Sequence, residues 1–207
     1  KEYINIVKEL HPEKKVRVAI VGKYVELEDS HLSIVESLKH GGIANQVAIE
    51  IKWVNAEKIE SAETVEHEFR EVEGILIPGG FGGRGVEGKI RAIRYARENN
   101  IPFFGLCLGM QCAVIEFARH VCKMKGANST EFAPETKFPV IDIIPDQKNI
   151  TDKGGTMRLG AYPCKIKKGT LLSKLYQKDE VNERHRHRFE FNNAYRKEFT
   201  GAGLVFS

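Results

Sequence analysis

The sequence predicts an α/β domain, a three-layer sandwich around a mostly parallel central sheet, with antiparallel additions in its second half. Three observations carry that expectation. Short β-branched apolar runs alternate with segments of helical period through residues 16–121. Two of those runs, Val16 to Val21 and Gly74 to Ile77, stop at Gly22 and at Pro78-Gly79-Gly80, as buried parallel strands do. The length, 207 residues, suffices for one such domain with a substantial core.

The elements follow in order. Residues 3–10 have helical spacing, and Pro12 ends them. Val16 to Val21 is the first strand. Asp29 or Ser30 can cap a helix over about 30–41, closed by Gly41-Gly42. Val47 to Val54 alternates as a strand, residues 57–70 are charged and helical, and Gly74 to Ile77 is a short buried strand. A helix over 86–98 and a strand over Ile101 to Phe104 come next. Another helix follows at once, with Met110, Val114, Phe117, Ala118 and Val121 as its core-facing stripe. In the less regular second half, Thr156 to Ile166, Arg188 to Phe191 and Gly203 to Phe206 read as strands. There is no internal repeat and no low-complexity stretch. The expected organisation is a lead-in over 1–14 and one domain over 15–207.

Composition narrows the classes. The formal charge is +4, as compatible with small anions such as nucleotides as with nucleic acid. No apolar run approaches the ~20 residues of a membrane span, and the chain does not open on a signal peptide. It begins Lys1-Glu2-Tyr3 rather than with Met, which reads as a piece of a longer chain or a processed product. Cys107, Cys112, Cys122 and Cys164 lack zinc-type spacing and read as reduced thiols of a cytoplasmic protein without a metal.

The segment Phe103-Phe104-Gly105-Leu106-Cys107-Leu108-Gly109-Met110-Gln111 is the most informative. A strand runs into a Gly-x-Cys-x-Gly turn and a helix begins, the layout of a nucleophile elbow. A thiol at a helix N-terminus sees the positive end of the dipole, which favours thiolate. The Leu108 N–H has no partner within the helix and can face a developing oxyanion. Cys112 and Cys122 match no elbow and read as buried thiols.

Pro78-Gly79-Gly80-Phe81-Gly82-Gly83-Arg84-Gly85-Val86-Glu87-Gly88 also follows a buried strand. Ligands of open sheets bind beyond the carboxyl ends of the strands, so this loop belongs beside the elbow, where Gly80 can supply a second backbone donor. No Gly-Lys-Ser/Thr follows, so a Walker-type phosphate site is not indicated. In Glu183-Arg184-His185-Arg186-His187-Arg188-Phe189-Glu190, alternation puts the arginines on one face and the histidines on the other. By itself that run is a solvated basic strip or a nucleic-acid patch.

Taken together, these segments resemble the class I glutamine amidotransferases, and within them the C-terminal domain of the CTP synthases. Further blocks carry the narrower likeness: Val21-Gly22-Lys23-Tyr24, Lys39-His40-Gly41-Gly42, Ala127-Asn128-Ser129-Thr130-Glu131-Phe132 and Gly154-Gly155-Thr156-Met157-Arg158-Leu159-Gly160. The resemblance implies a flavodoxin-like centre. It implies Cys107 as a nucleophile that forms a glutamyl thioester, with Gly80 and Leu108 as oxyanion donors. Gly80, Leu108, Gly109, Met110, Gln111, Glu131 and Arg188 fall where the family holds glutamine, Glu131 suiting its ammonium and Arg188 its carboxylate. The loop of Arg84 is a candidate GTP-effector element.

It further implies ammonia delivery to a separate N-terminal synthase domain, which aminates ATP-activated UTP with magnesium, under activation by GTP, in a homotetramer. No cofactor in this domain, no nucleic acid and no membrane partner are implied. The family's His and Glu partners of the nucleophile stand in a His-Pro-Glu motif, expected here beyond Ser207. His11-Pro12-Glu13 has the same letters but precedes the first strand and reads as coincidence. The 207 residues alone are therefore expected to turn over little glutamine. Another class I amidotransferase, a cysteine hydrolase of similar fold, or a non-catalytic assembly or regulatory domain are the competing readings.

Overall fold

The computed structural model describes residues 14–23, 25, 31–59, 61–143 and 158–207. The expected helix over 3–10, the His11-Pro12-Glu13 triplet, Tyr24, the caps Asp29 and Ser30, and Gly154 to Met157 lie outside the described residues. The chain divides into two compact units, one ending at Glu116 and one beginning at Phe117.

The first unit holds β1 (Lys15–Gly22), α1 (Leu32–Ala44), β2 (Ala48–Asn55), a 3-10 turn (Ala56–Lys58), α2 (Ala62–Phe69), β3 (Gly74–Ile77), α3 (Val86–Glu98), β4 (Phe103–Gly105) and the start of α4 (Leu108–His120). Its four strands pair in the order β2-β1-β3-β4, all parallel. That order is doubly wound, and the chain reverses its direction of growth between β1 and β3. The register pairs Val18 with Ile51 and Gly74, and Ile75 with Phe103.

The inner strands β1 and β3 are apolar at their centres because both faces are covered there. Val18, Ile20 and Leu76 point to one face, where Ile34, Val35 and Leu38 of α1 pack on them. Ala19, Val21, Ile75 and Ile77 point to the other face and are buried, as are Ile90 and Ile93 of α3.

The second unit contains the rest of α4, then β5 (Asn128–Ser129), β6 (Pro139–Ile143), β7 (Arg158–Lys165), α5 (Leu171–Tyr176), β8 (Glu180–His187), β9 (Phe189–Phe191), a 3-10 turn (Asn193–Tyr195) and α6 (Arg196–Gly201). Strands β5-β6-β9 form one small sheet, with β5 parallel and β9 antiparallel to β6. Strands β7 and β8 form an antiparallel pair. Phe199 is fully buried against Phe117 and Phe191, with ring centroids at 5.6 and 5.1 Å.

Four expectations are corrected. Helix α1 does not close at Gly41-Gly42 but runs to Ala44. Gly42 is there for close approach: a Cβ on it would lie 2.7 Å from the carbonyl oxygen of Val47. On α4, Val114 and Ala118 of the expected stripe are buried, together with Leu108, Gln111, Cys112, Ile115 and Glu116, whereas Phe117 and Val121 are half-buried and Met110 is 41% exposed. Cys122, expected as a buried thiol, is only half-buried, because it lies past the end of α4. Gly203 to Phe206 forms no strand: Gly203 N–H and Leu204 N–H return to the carbonyls of Thr200 and Phe199, closing α6.

Candidate active site

In the first unit the carboxyl ends of β3 and β4 deliver two loops to the same place. Gly105 ends β4, Leu106 N–H donates to Ile77 O at 2.9 Å, and α4 starts two residues on. Between them Cys107 is held at φ +50°. A non-glycine residue in that left-handed region is strained, and such strain concentrates at functional sites. What enforces it is crowding. A Cβ on Gly105 would stand 2.6 Å from the Gly109 carbonyl carbon, so β4 and the first turn of α4 lie in backbone contact. Gly109 N–H closes the turn on Leu106 O at 2.8 Å, and Gln111 N–H bonds Cys107 O at 3.0 Å. The Cys107 side chain is left exposed, while Leu108, Gly109 and Gln111 are buried.

The Pro-Gly-Gly loop lies against this elbow. A Cβ on Gly79 would meet the Cys107 Cβ at 3.4 Å, and one on Gly80 would meet Leu108 Cδ2 at 3.4 Å. Two residue positions expected to donate to an oxyanion, Gly80 and Leu108, are thus neighbours. Leu108 is the first residue of α4, where helical N–H groups lack partners within the helix. Met110 is exposed in the same turn.

Two residues that sequence reasoning gave no role shape the glycine-rich loop. Lys23 Nζ donates to Phe81 O at 2.6 Å and stands 5.3 Å from that ring's centre. Glu57 receives Arg84 Nε at 2.7 Å, so Arg84 is tied to the 3-10 turn after β2. Neither signal was available from periodicity, because both pairs are non-local. Lys89 on α3 is buried, which pushes its ammonium below the ordinary lysine range.

Glu131 and Arg188 belong to the second unit, and its small sheet gathers them. Glu131 lies two residues past the end of β5, and Arg188 immediately precedes β9. Because β5 runs with β6 and β9 against it, both residues leave the sheet at the same end, beside Ile143. Flanking strands of a three-stranded sheet are about 10 Å apart, a separation that a carboxylate and a guanidinium on long side chains can bridge around one small zwitterion.

The expected alternation holds over 184–187, where Arg184 and Arg186 are exposed and His185 and His187 half-buried, but not at Arg188, which is half-buried past the end of β8. The two rings meet at 2.9 Å between Nδ1 of His185 and Nε2 of His187. Burial pushes His187 below the ordinary histidine value, against the opposing pull of Glu190. Among the described residues no cluster of three or more His, Cys, Asp or Glu could hold a metal ion, and no helix is long and apolar enough to cross a membrane.

Comparison with known proteins bears on the fold and the family. The family model for glutamine amidotransferase class-I matches residues 26–206. The chain is 60% identical over 207 residues to a CTP synthase of Caldanaerobacter subterraneus subsp. tengcongensis, covering all of this chain and 38% of that protein. It is 56% identical over 207 residues to a CTP synthase of Aquifex aeolicus, again covering all of this chain and 38% of the relative. The chain therefore spans well under half the length of these curated relatives. A solved structure of the Trypanosoma brucei CTPS glutaminase domain with bound acivicin superposes with a TM-score of 0.85. It shares 42% identity, covering 93% of this chain and 74% of that one.

Proposed function

This chain belongs to the class I glutamine amidotransferases, as a glutaminase domain of the CTP synthase type, and we propose that it releases ammonia from L-glutamine through Cys107. The observation that carries the proposal is the elbow itself. Cys107 is exposed at φ +50°, at the amino end of α4, with Gly79 and Gly80 packed against it. Its Sγ attacks the carboxamide carbon of the side chain, forming a C–S bond and an oxyanion. The backbone N–H groups of Leu108 and Gly80 face that oxyanion. Expulsion of the amide nitrogen, protonated as it leaves, yields ammonia and a glutamyl thioester, which water hydrolyses to glutamate and the free thiol. The proton comes from a general acid, the role that the family resemblance gives to the histidine of a His-Pro-Glu motif.

Substrate selection follows from the remaining residues. Glu131 pairs with the α-ammonium and Arg188 with the α-carboxylate, charge-assisted contacts that only an amino acid satisfies together. Gly109, Met110 and Gln111 line the side-chain end.

In the longer protein, ammonia passes to an N-terminal synthase domain that uses ATP, magnesium and UTP to make CTP, in a cytoplasmic homotetramer. GTP is its activator, and the Arg84 loop, clamped by Glu57, is the element of this chain that we assign to that response. The test is labelling of the parent protein with a glutamine-shaped electrophile, with the adduct mapped by peptide. A saturable adduct on Cys107, prevented by glutamine, is expected. Saturable labelling on another residue, or none, would remove the glutaminase reading and leave a non-catalytic domain.

A further inference from the structure

We propose that Asp142 is a positioning residue for the amino-acid end of the substrate, fixing through Thr130 the turn that presents Glu131. This rests on the reading of Glu131 as the partner of the α-ammonium. Asp142 lies on β6, the middle strand of the small sheet, near the end from which Glu131 and Arg188 both depart. Its Oδ1 accepts the Thr130 hydroxyl at 2.8 Å and the Ile143 N–H at 2.8 Å. Thr130 N–H donates to Ile141 O at 3.1 Å. The residue directly before Glu131 is therefore fastened to β6 twice, once by backbone and once by side chain.

The other side of the turn is fastened to β5. Ser129 is fully buried, and its hydroxyl accepts the Glu131 N–H at 3.2 Å. Its carbonyl accepts the N–H groups of Phe132 and Ala133 at 3.1 and 3.0 Å. A single buried serine thus anchors the chain through residue 133, and Asp142 supplies the remaining restraint.

The carboxylate at 142 comes at an electrostatic cost. Glu190 on β9 stands directly opposite it in register. Like charges opposed across antiparallel strands repel. Glu190 is offset by Arg158, with Nη1 at 2.6 Å, and Asp142 by its hydroxyl and N–H donors. An asparagine at 142 would remove the repulsion and still accept from Thr130. That separates the proposed role from a requirement for charge.

Charge-assisted hydrogen bonds weaken steeply with distance and angle. A turn released from β6 lets Glu131 wander, which weakens binding of the amino-acid end while leaving the sulfur untouched. The experiment uses the parent protein and two probes of Cys107: a glutamine-shaped electrophile, read as KI and kinact, and iodoacetamide, read as a simple rate. Asp142→Ala and Thr130→Val should each raise KI by about five- to tenfold, less than the full worth of a hydrogen bond to a charged group because the turn keeps its backbone bonds. The maximal rate kinact and the iodoacetamide rate should stay within about twofold. Asp142→Asn and Thr130→Ser should keep KI near that of the unaltered protein.

A KI unchanged in Asp142→Ala and in Thr130→Val overturns the proposal. So does an equal loss in Asp142→Asn, which would assign the effect to charge. Circular dichroism melting identifies any variant that fails to fold, and Thr130→Val, nearly isosteric, then decides. If the unaltered parent protein shows no saturable labelling at all, the glutamine reading fails instead, so the two failures are distinguishable.

Discussion

A Cβ placed on Gly109 would stand 2.2 Å from the carbonyl oxygen of Ile77, so the first turn of α4 lies directly on the end of β3. The overlap is with backbone, and no rotamer change relieves it. Gly109→Ala must therefore push α4 away from the sheet and carry Cys107 out of its left-handed turn. A loss of about 3 kcal/mol or more is expected, at the upper end of single-site effects. Urea denaturation and Cys107 labelling should fall together; a variant with native midpoint and native labelling would show that the turn has room.

Three of the four thiols should separate under alkylation. Cys107 is exposed at the helix start and should react first near neutral pH. Cys112 is fully buried and should not react until the protein unfolds. Burial foremost, and then the charge of Glu198, pushes the Cys122 thiol up, so its labelling should grow only as the solution turns alkaline. Peptide mapping across a pH series measures all of this, and equal early labelling of Cys107 and Cys112 would contradict the elbow.

Arg188→Ala should act on recognition rather than on the sulfur. A guanidinium that receives a carboxylate through two parallel bonds is not replaced by a lysine's point charge. Both Arg188→Ala and Arg188→Lys should raise KI for a glutamine-shaped electrophile by about tenfold or more, while the rate with iodoacetamide stays unchanged. Arg188→Lys behaving like the unaltered chain would argue for simple charge attraction.

How much of this was legible before the coordinates depends on how locally each feature is encoded. Strands β1 and β3 and helix α3 could be placed to within a residue, since burial on both faces or along one stripe leaves a continuous pattern. The elbow was legible because strand, paired glycines and helix start are contiguous. Gly42 misled, because a glycine that lets a helix touch a strand looks in sequence like one that ends a helix. Met110 misled in the opposite sense: its spacing groups it with Val114 and Ala118, which are buried, yet it is exposed beside the elbow. Glu131 and Arg188 carried no local signal. Strands of two and three residues bring them to one sheet end, pairing across β6, and only the family resemblance pointed there. The Asp142 bond to Thr130 spans twelve residues of chain and no pattern announces it.

Glu116 is a buried carboxylate at 1% exposure, gripped by Arg97 through Nε at 3.2 and 3.1 Å and Nη2 at 2.8 Å. The carboxylate in turn holds the guanidinium charged, raising its proton affinity further. Arg97→Met removes the ion-pair partner seen at Glu116 and should cost about 2–3 kcal/mol, less than for a wholly buried pair because Arg97 is about one-third exposed. Adding Glu116→Gln should recover a large part of the loss. Strict additivity in the double-variant cycle would show that the pair is not coupled.

His31 stacks on Trp53 with ring centroids 5.8 Å apart, and its Nε2 is buried without a hydrogen-bond partner. Burial foremost, and then the nearby positive charge of Lys89, pushes His31 below the ordinary histidine value of about 6.5. The unfolded chain therefore takes up a proton that the folded chain refuses. Stability rises with pH between the depressed folded value and about 6.5, and is lost as the solution is acidified through that window. His187 contributes in the same sense, since burial there outweighs Glu190. His31→Phe keeps a ring on Trp53 and removes both the orphaned nitrogen and one proton from the linkage. It should leave stability near pH 8 unchanged or slightly raised, and should flatten, without abolishing, the decline toward about pH 5. Urea midpoints measured across that range decide it: a variant whose acid-side slope equals that of the unaltered chain would place His31 outside the titration that weakens the fold.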